Sequence, residues 1–106
     1  MKLKFKIVEE YYDDYRLEKM LRKIAKIIDS EFDSHFGYSF QGYPLCMSVY
    51  DFDKDSFHEK EVVRLKIRND KIHVYKRHAV GHYYKIKSFR KKSKLLSFIK
   101  KACNGR

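Results

Sequence analysis

The chain has 106 residues, which is the length of one domain with one hydrophobic core. Its 25 lysines and arginines outnumber its 14 aspartates and glutamates, while nine tyrosines and eight phenylalanines supply enough apolar surface to exclude a disordered chain. No run near 18 apolar residues is present, which excludes a membrane-spanning helix and predicts a protein without a membrane partner.

The net charge of +11 is unevenly distributed along the chain. Residues 1–53 hold eight basic and ten acidic residues, whereas residues 62–106 hold fifteen basic residues and one acid, Asp70. A surface that only confers solubility mixes both signs, so this asymmetry predicts a polyanionic partner, either nucleic acid or a protein that processes it. The two cysteines have neither metal-ligand nor disulfide spacing, which predicts reduced thiols and a cytoplasmic location.

The first third of the chain carries two different periodicities. Residues 2–8 alternate apolar and lysine residues, which predicts a strand. Residues 14–34 repeat apolar residues at helical spacing and predict a long amphipathic helix. Residues 38–43 then predict a short edge strand or a loop, residues 45–50 a strand, and the polar residues 51–60 a loop.

The strongest pattern lies in residues 62–92, where apolar and basic residues alternate on both sides of Asn69-Asp70, a pair typical of two-residue hairpin turns. One register places all the apolar residues on the same side of the hairpin. That register pairs Ile67 with Ile72 and Leu65 with Val74 on the apolar side, and Arg68 with Lys71, Lys66 with His73 and Arg64 with Tyr75 on the other.

Residues 82–87 predict a further strand, with Tyr84 and Ile86 in the core and Lys87 on the basic side. From residue 88 the helical period returns, and either Ser88 or Ser93 can cap a short C-terminal helix. The order β-α-β-β-β-β-α predicts a single α+β domain with two layers. A long N-terminal and a short C-terminal helix pack on one face of a mostly antiparallel sheet, which leaves the other face open.

The basic sheet face is the predicted nucleic-acid-binding site, because cations neutralise phosphates and tyrosines can stack on bases. Cross-strand packing beside long basic side chains is the alternative role for the tyrosines. The predicted binding residues on the sheet are Arg64, Lys66, Arg68, Lys71, His73, Tyr75, Arg77, Tyr83, Lys85 and Lys87.

A second anion site is predicted at the start of the last helix, where a phosphate would relieve the repulsion between nearby cations and the helix dipole. Its residues are Arg90, Lys91 and Lys92, followed by Lys94. The alternative is that these cations precede a helix capped by Ser93. The layout resembles, in topology, the double-stranded-RNA-binding domain, whose last helix also opens with lysines, but this chain does not carry that family's glycine and lysine motifs.

The patterns for metal binding or catalysis are incomplete. Asp51-x-Asp53-x-Asp55 resembles the opening of a calcium-binding EF-hand loop, but Ser56 and Val62 occupy the required glycine and glutamate positions. A two-metal nuclease would use Asp51, Asp53, Glu59 and Glu61. The histidines at 73, 78 and 82 lack zinc-ligand spacing and orienting partners. The sequence therefore predicts no cofactor, no metal and no catalytic residue.

These observations predict a small, basic, non-enzymatic nucleic-acid-binding protein. The first alternative is an inhibitor or adaptor that binds a larger nucleic-acid-processing enzyme, as accessory proteins of phages and mobile elements do; an anti-CRISPR protein is one example. The second alternative is a small nuclease. The sequence leaves the oligomeric state open.

Overall fold

The structure is a computed structural model that describes the backbone of residues 2–42, 44–78 and 82–105. Side chains are described over the same ranges except at residues 2–14, 57 and 58. The end of the predicted strand at residue 43 and the turn at residues 79–81 lie outside the described residues. None of the described helices is long and apolar enough to cross a membrane.

The chain begins with one long helix, α1 (Lys2–Glu31). Its buried side chains recur at helical spacing, as predicted: Leu17, Leu21, Ile24, Ala25 and Ile28. The strand predicted at residues 2–8 is wrong, because these residues extend the same helix. Extending an existing helix adds one hydrogen bond per residue, whereas a strand needs a neighbouring strand to pair with.

A five-stranded antiparallel sheet follows α1, with its strands in sequence order. The strands are β1 (Phe36–Gln41), β2 (Cys46–Asp51), β3 (Glu61–Arg68), β4 (Lys71–Arg77) and β5 (Tyr83–Phe89). A single turn, α2 (Phe57–Lys60), precedes β3, and α3 (Lys92–Asn104) follows β5. The α+β prediction is confirmed, but apart from the single turn α2 the observed order is α-β-β-β-β-β-α rather than β-α-β-β-β-β-α.

The β3–β4 hairpin has the predicted register, including Ile67 opposite Ile72 and Lys66 opposite His73. Asn69 and Asp70 adopt positive φ angles of 50° and 61°, the left-handed conformation that a two-residue hairpin turn requires. Asp70 also accepts a hydrogen bond from Arg16 of α1 at 3.1 Å. The turn therefore sets the register and contacts the first helix.

The core lies between the sheet and the helices α1 and α3, which pack on the same sheet face. The sheet contributes the inward-facing residues of its central strands, and α3 contributes Leu95, Ile99 and Cys103. Neither α1 nor α3 packs on the opposite sheet face. We call this opposite face the open face.

A β-bulge in the β4–β5 pair changes the predicted side of Lys87. Val74 lies opposite Lys87, but the next residue, Tyr75, lies opposite Lys85, so Ile86 is the extra residue. Lys87 therefore shares the helix side with the buried Val74, contrary to the prediction. The prediction for Lys87 assumed uninterrupted alternation along β5. The bulge shifts this alternation by one residue, so the predicted side is wrong.

Tyr84 and Ile86 were predicted in the core, and this prediction is wrong. Both lie on the helix side, but 52% of Tyr84 and 39% of Ile86 remain exposed. Helix α3 packs through Phe98 on Phe89 at the end of β5, and leaves the beginning of β5 uncovered.

We expect the two isoleucines to differ in their contribution to stability. Ile72→Ala should lower the free energy of unfolding by about 2–5 kcal/mol, because truncating a fully buried side chain leaves a cavity. Ile86→Ala should cost less than about 1 kcal/mol, because more than a third of Ile86 remains exposed and its loss leaves no closed cavity. Denaturant unfolding followed by circular dichroism measures both. Equal costs would mean that Ile86 is a core residue after all.

Candidate nucleic-acid interface

Nine of the ten predicted sheet residues lie on the open face. Directly paired residues of antiparallel strands point to the same side, so the buried residues of β3 and β4 fix the side of every neighbour. The nine are Arg64, Lys66, Arg68, Lys71, His73, Tyr75, Arg77, Tyr83 and Lys85. The tenth, Lys87, lies on the helix side beside Phe89, with its amino nitrogen 5.5 Å from that ring's centroid.

Four cations are grouped around one histidine at the hairpin end of the open face. We call this group, formed by Lys66, Arg68, Lys71, His73 and Lys85, the His73 cluster. Burial, together with the positive charges of Lys85, Lys71 and Arg68, lowers the pKa of His73 below its ordinary value. Burial is the larger cause, and the three cations act in the same direction.

The cations of the His73 cluster have no acidic counterpart in the described part of the chain. The ion pairs there involve other residues, and Asp70, which is close in sequence, pairs with Arg16. Lys66 instead lies 5.4 Å from the centroid of the Tyr75 ring. The ammonium and guanidinium groups of the cluster are thus available to an external anion.

The other end of the open face carries a closed polar network around Glu61. The Glu61 side chain is only 2% exposed. Its two oxygens accept hydrogen bonds from Arg64 Nε at 3.0 Å and from the Tyr83 hydroxyl at 2.5 Å. The Arg64 guanidinium also lies 4.1 Å from the centroid of the Tyr83 ring. We call these three residues the Glu61 network.

The Glu61 network removes Arg64 and Tyr83 from the set of readily available binding groups. Leaving a buried carboxylate without its cation costs about 3–5 kcal/mol, whereas a surface ion pair contributes about 0–1 kcal/mol. Arg64 is therefore held in place more strongly than the cation of a surface ion pair. Tyr83 also makes a cross-strand contact, because the Arg77 guanidinium lies 5.8 Å from the centroid of its ring. Its pKa is raised to about 12 by burial and by the hydrogen bond to Glu61.

Two aromatic residues beyond the predicted set also lie on the open face. The rings of Tyr50 and Phe52 stack with centroids 5.7 Å apart, and 56% of Phe52 is exposed. Phe52 lies over Gly37, where an added Cβ would be 2.6 Å from a ring carbon, so this packing needs glycine. The alternation in residues 45–50 already placed Tyr50 on the side opposite the apolar residues. Phe52 was missed because residues 51–60 are predicted to form a polar loop.

The cations at the start of α3 precede or begin the helix. Helix α3 starts at Lys92 after an N-cap residue, Lys91, whose side chain makes no capping hydrogen bond, so the Ser93 cap is wrong. Phe89 pairs with Ile72, which places Arg90 at the same end of the sheet as Lys71. Arg90, Lys91 and Lys92 are exposed there and extend the basic hairpin end of the molecule.

The acidic residues that the nuclease alternative required are divided between two places. Asp51 and Asp53 lie beside His35, whose Nε2 and Nδ1 are 3.8 and 3.7 Å from their carboxylates. Glu61 belongs instead to the Glu61 network. Within the described ranges, His35, Asp51 and Asp53 are the residues whose ligand atoms come close enough to hold a metal ion.

The chain gives no match to any protein-family model, curated protein or solved structure with which it was compared. The topological resemblance to the double-stranded-RNA-binding domain has no support from these comparisons.

We expect Tyr83→Phe to lower the free energy of unfolding by about 1.5–3 kcal/mol, because it removes a hydrogen bond to a buried, charged acceptor. Since the folded-state pKa of about 12 exceeds the ordinary 10, this contribution should be present below pH 10 and lost as the pH rises through about 12. Phenolate absorbance of the wild type minus that of Tyr83→Phe measures this ionisation. An ionisation near pH 10 would contradict the network.

A second prediction concerns the stability of the fold at acidic pH. Because the folded-state pKa of His73 lies below 6.5, the unfolded chain binds a proton first, so stability should fall as the pH drops below 6.5. His73→Gln should reduce this loss, as measured by urea unfolding between about pH 7.5 and pH 5. His82→Gln, outside the His73 cluster, is the matched control. An unchanged acid dependence in His73→Gln would show that the cluster exerts no repulsion on the imidazole.

Proposed function

We propose that this protein binds nucleic acid without catalysing its cleavage, and that the His73 cluster on the open face contacts the phosphates. The observation that carries the proposal is the grouping of cations around His73 on the open face: Lys66 lies directly opposite it, and the charges of Lys85, Lys71 and Arg68 add to burial in lowering its pKa. Such a group is repulsive in the unbound protein. A phosphate backbone relieves that repulsion and releases the counterions condensed on the nucleic acid.

The shape of the open face supports a chain of phosphates rather than a single small anion. The cluster extends across β3, β4 and β5, and neighbouring strands lie about 4.8 Å apart. The exposed cations Arg90 to Lys92 continue the positive surface beyond the end of the sheet. Three adjacent strands span about 10 Å. The phosphates of one strand of a duplex recur about every 3.4 Å along its axis, so these cations can contact more than one phosphate.

The aromatic residues have separate roles in the proposal. Tyr75 packs beside Lys66 and fixes the position of the ammonium group. Phe52 is the exposed ring that can stack with an unpaired base, and this stacking would contribute about 1–3 kcal/mol to the binding free energy. Arg64 and Tyr83 act through the Glu61 network, which keeps the strand ends of the open face in place.

The proposal includes a cytoplasmic location, where nucleic acid is accessible and the thiols of Cys46 and Cys103 remain reduced. Neither cysteine forms a disulfide. Buried Cys103 belongs to the core, and Cys46 lies on the open face beside Lys66.

The test is fluorescence anisotropy with labelled single- and double-stranded DNA and RNA oligonucleotides over a range of salt concentrations. The variant Lys66→Glu/Lys71→Glu/Lys85→Glu should bind more than about tenfold more weakly. The slope of log K against log salt should fall by roughly 2–3, as expected for three lost phosphate contacts. Arg64 is left unchanged because replacing it would disrupt the Glu61 network.

The matched control is Lys19→Glu/Lys23→Glu/Lys26→Glu, which makes the same charge change on the exposed side of α1. If net charge alone drove binding, both triple variants would lose affinity equally, and that result would refute the open face as the site. In the same samples, gel electrophoresis with magnesium or with EDTA should show intact oligonucleotide. Magnesium-dependent cleavage would favour the nuclease alternative.

A further inference from the structure

A groove separates β5 from α3 on the helix side of the sheet, away from the His73 cluster. It consists of two concavities, with volumes of about 330 and 390 Å³, that share Phe98 and Lys101 as lining residues. The bulge at Ile86 and the limited reach of α3 together leave this part of the sheet uncovered.

The floor of the groove is apolar. Ile86 and Tyr84 are two of the large hydrophobic side chains that remain exposed in the described part of the chain, and Phe98 is half-buried between the two concavities. Exposed apolar groups that are adjacent in a concave surface mark a binding site more often than isolated ones do. The occupant therefore presents bulky apolar side chains.

The rim of the groove is cationic. Lys76 and Lys101 border one concavity, and Lys87, Lys94 and Lys101 border the other. No acidic residue lines either concavity within the described part of the chain. Like charges around an apolar floor favour an occupant that carries carboxylates beside its apolar side chains.

We propose that this groove binds an acidic amphipathic segment of a partner protein. Its hydrophobic side chains would occupy the two concavities on either side of Phe98, and its carboxylates would face the four lysines. A nucleic acid fits this surface less well. Tyr84 and Phe98 could stack with a base, but Ile86 and Ala102 beside them are aliphatic and would lose water without gaining a stacking contact. A bilayer surface is flat, whereas this site is recessed.

The proposal is independent of nucleic-acid binding, because the two surfaces lie on opposite sides of the sheet. It gives the adaptor alternative a specific surface. The protein would recruit an acidic segment on its helix side while its open face remains available.

The test uses a phage-displayed library of random 16-residue peptides, panned against the full chain with excess unlabelled oligonucleotide to occupy the open face. The enriched peptides should combine aspartate or glutamate with large hydrophobic residues. Their affinity, measured by fluorescence anisotropy of the synthetic peptides, should fall at least about tenfold in Lys94→Glu/Lys101→Glu. Both lysines are exposed, so this variant should fold normally.

The matched control is Lys66→Glu/Lys71→Glu, which makes the same charge change on the open face and should leave peptide affinity unchanged. An absence of enrichment, an enriched set without acidic residues, or equal binding by the two double variants would overturn the proposal. Co-sedimentation with phosphatidylserine vesicles that depends on Lys94 and Lys101 would assign the groove to a membrane surface instead and would also overturn it. Loss of oligonucleotide binding in the open-face variant, with peptide binding retained, separates the two proposals.

Discussion

The register of the β3–β4 hairpin is the constraint on which the rest of the molecule depends. A slip of one residue would move Leu65, Ile67, Ile72 and Val74 out of the core and would put cations against the helices. The positive φ angles of Asn69 and Asp70 select the tight turn that fixes this register. The same geometry that buries the apolar residues therefore gathers Lys66, Lys71 and His73 on the solvent side.

The positive charge of the open face is not uniform, and the difference between its two ends follows from one buried acid. Glu61 holds Arg64 and Tyr83 at one end, so the charge of Arg64 is neutralised within the fold. At the other end the cations act on His73, and no carboxylate in the described part of the chain forms an ion pair with them. The Glu61 network, whose polar groups are hydrogen-bonded to one another, thus lies beside the mutually repelling cations of the His73 cluster. In this arrangement the fold supports an anion site that it does not itself neutralise.

The sequence predicted those features that depend on local alternation and missed those that depend on a neighbour. The hairpin register follows from the period of two and the Asn-Asp turn, and both helical periodicities correspond to real helices. The side of Lys87 could not be read from the sequence, because a bulge is set by how β5 packs against β4. Residues 2–8 alternate like a strand, but the sheet gives them no partner. Glu61 was assigned to a possible metal site because sequence spacing does not reveal its bonds to Arg64 and Tyr83.

Two cationic surfaces on opposite sides of one thin sheet raise the question of whether their anionic ligands would compete. Each bound anion lowers the positive potential that attracts the other, so the direct coupling is unfavourable. Layers in a sheet protein are about 10 Å apart, whereas the screening length at physiological ionic strength is about 8 Å. Screening therefore removes most of the coupling at physiological salt, and only at low salt should one ligand noticeably weaken the other. An open face that binds phosphates and a groove that binds an acidic segment are thus physically compatible within one small domain.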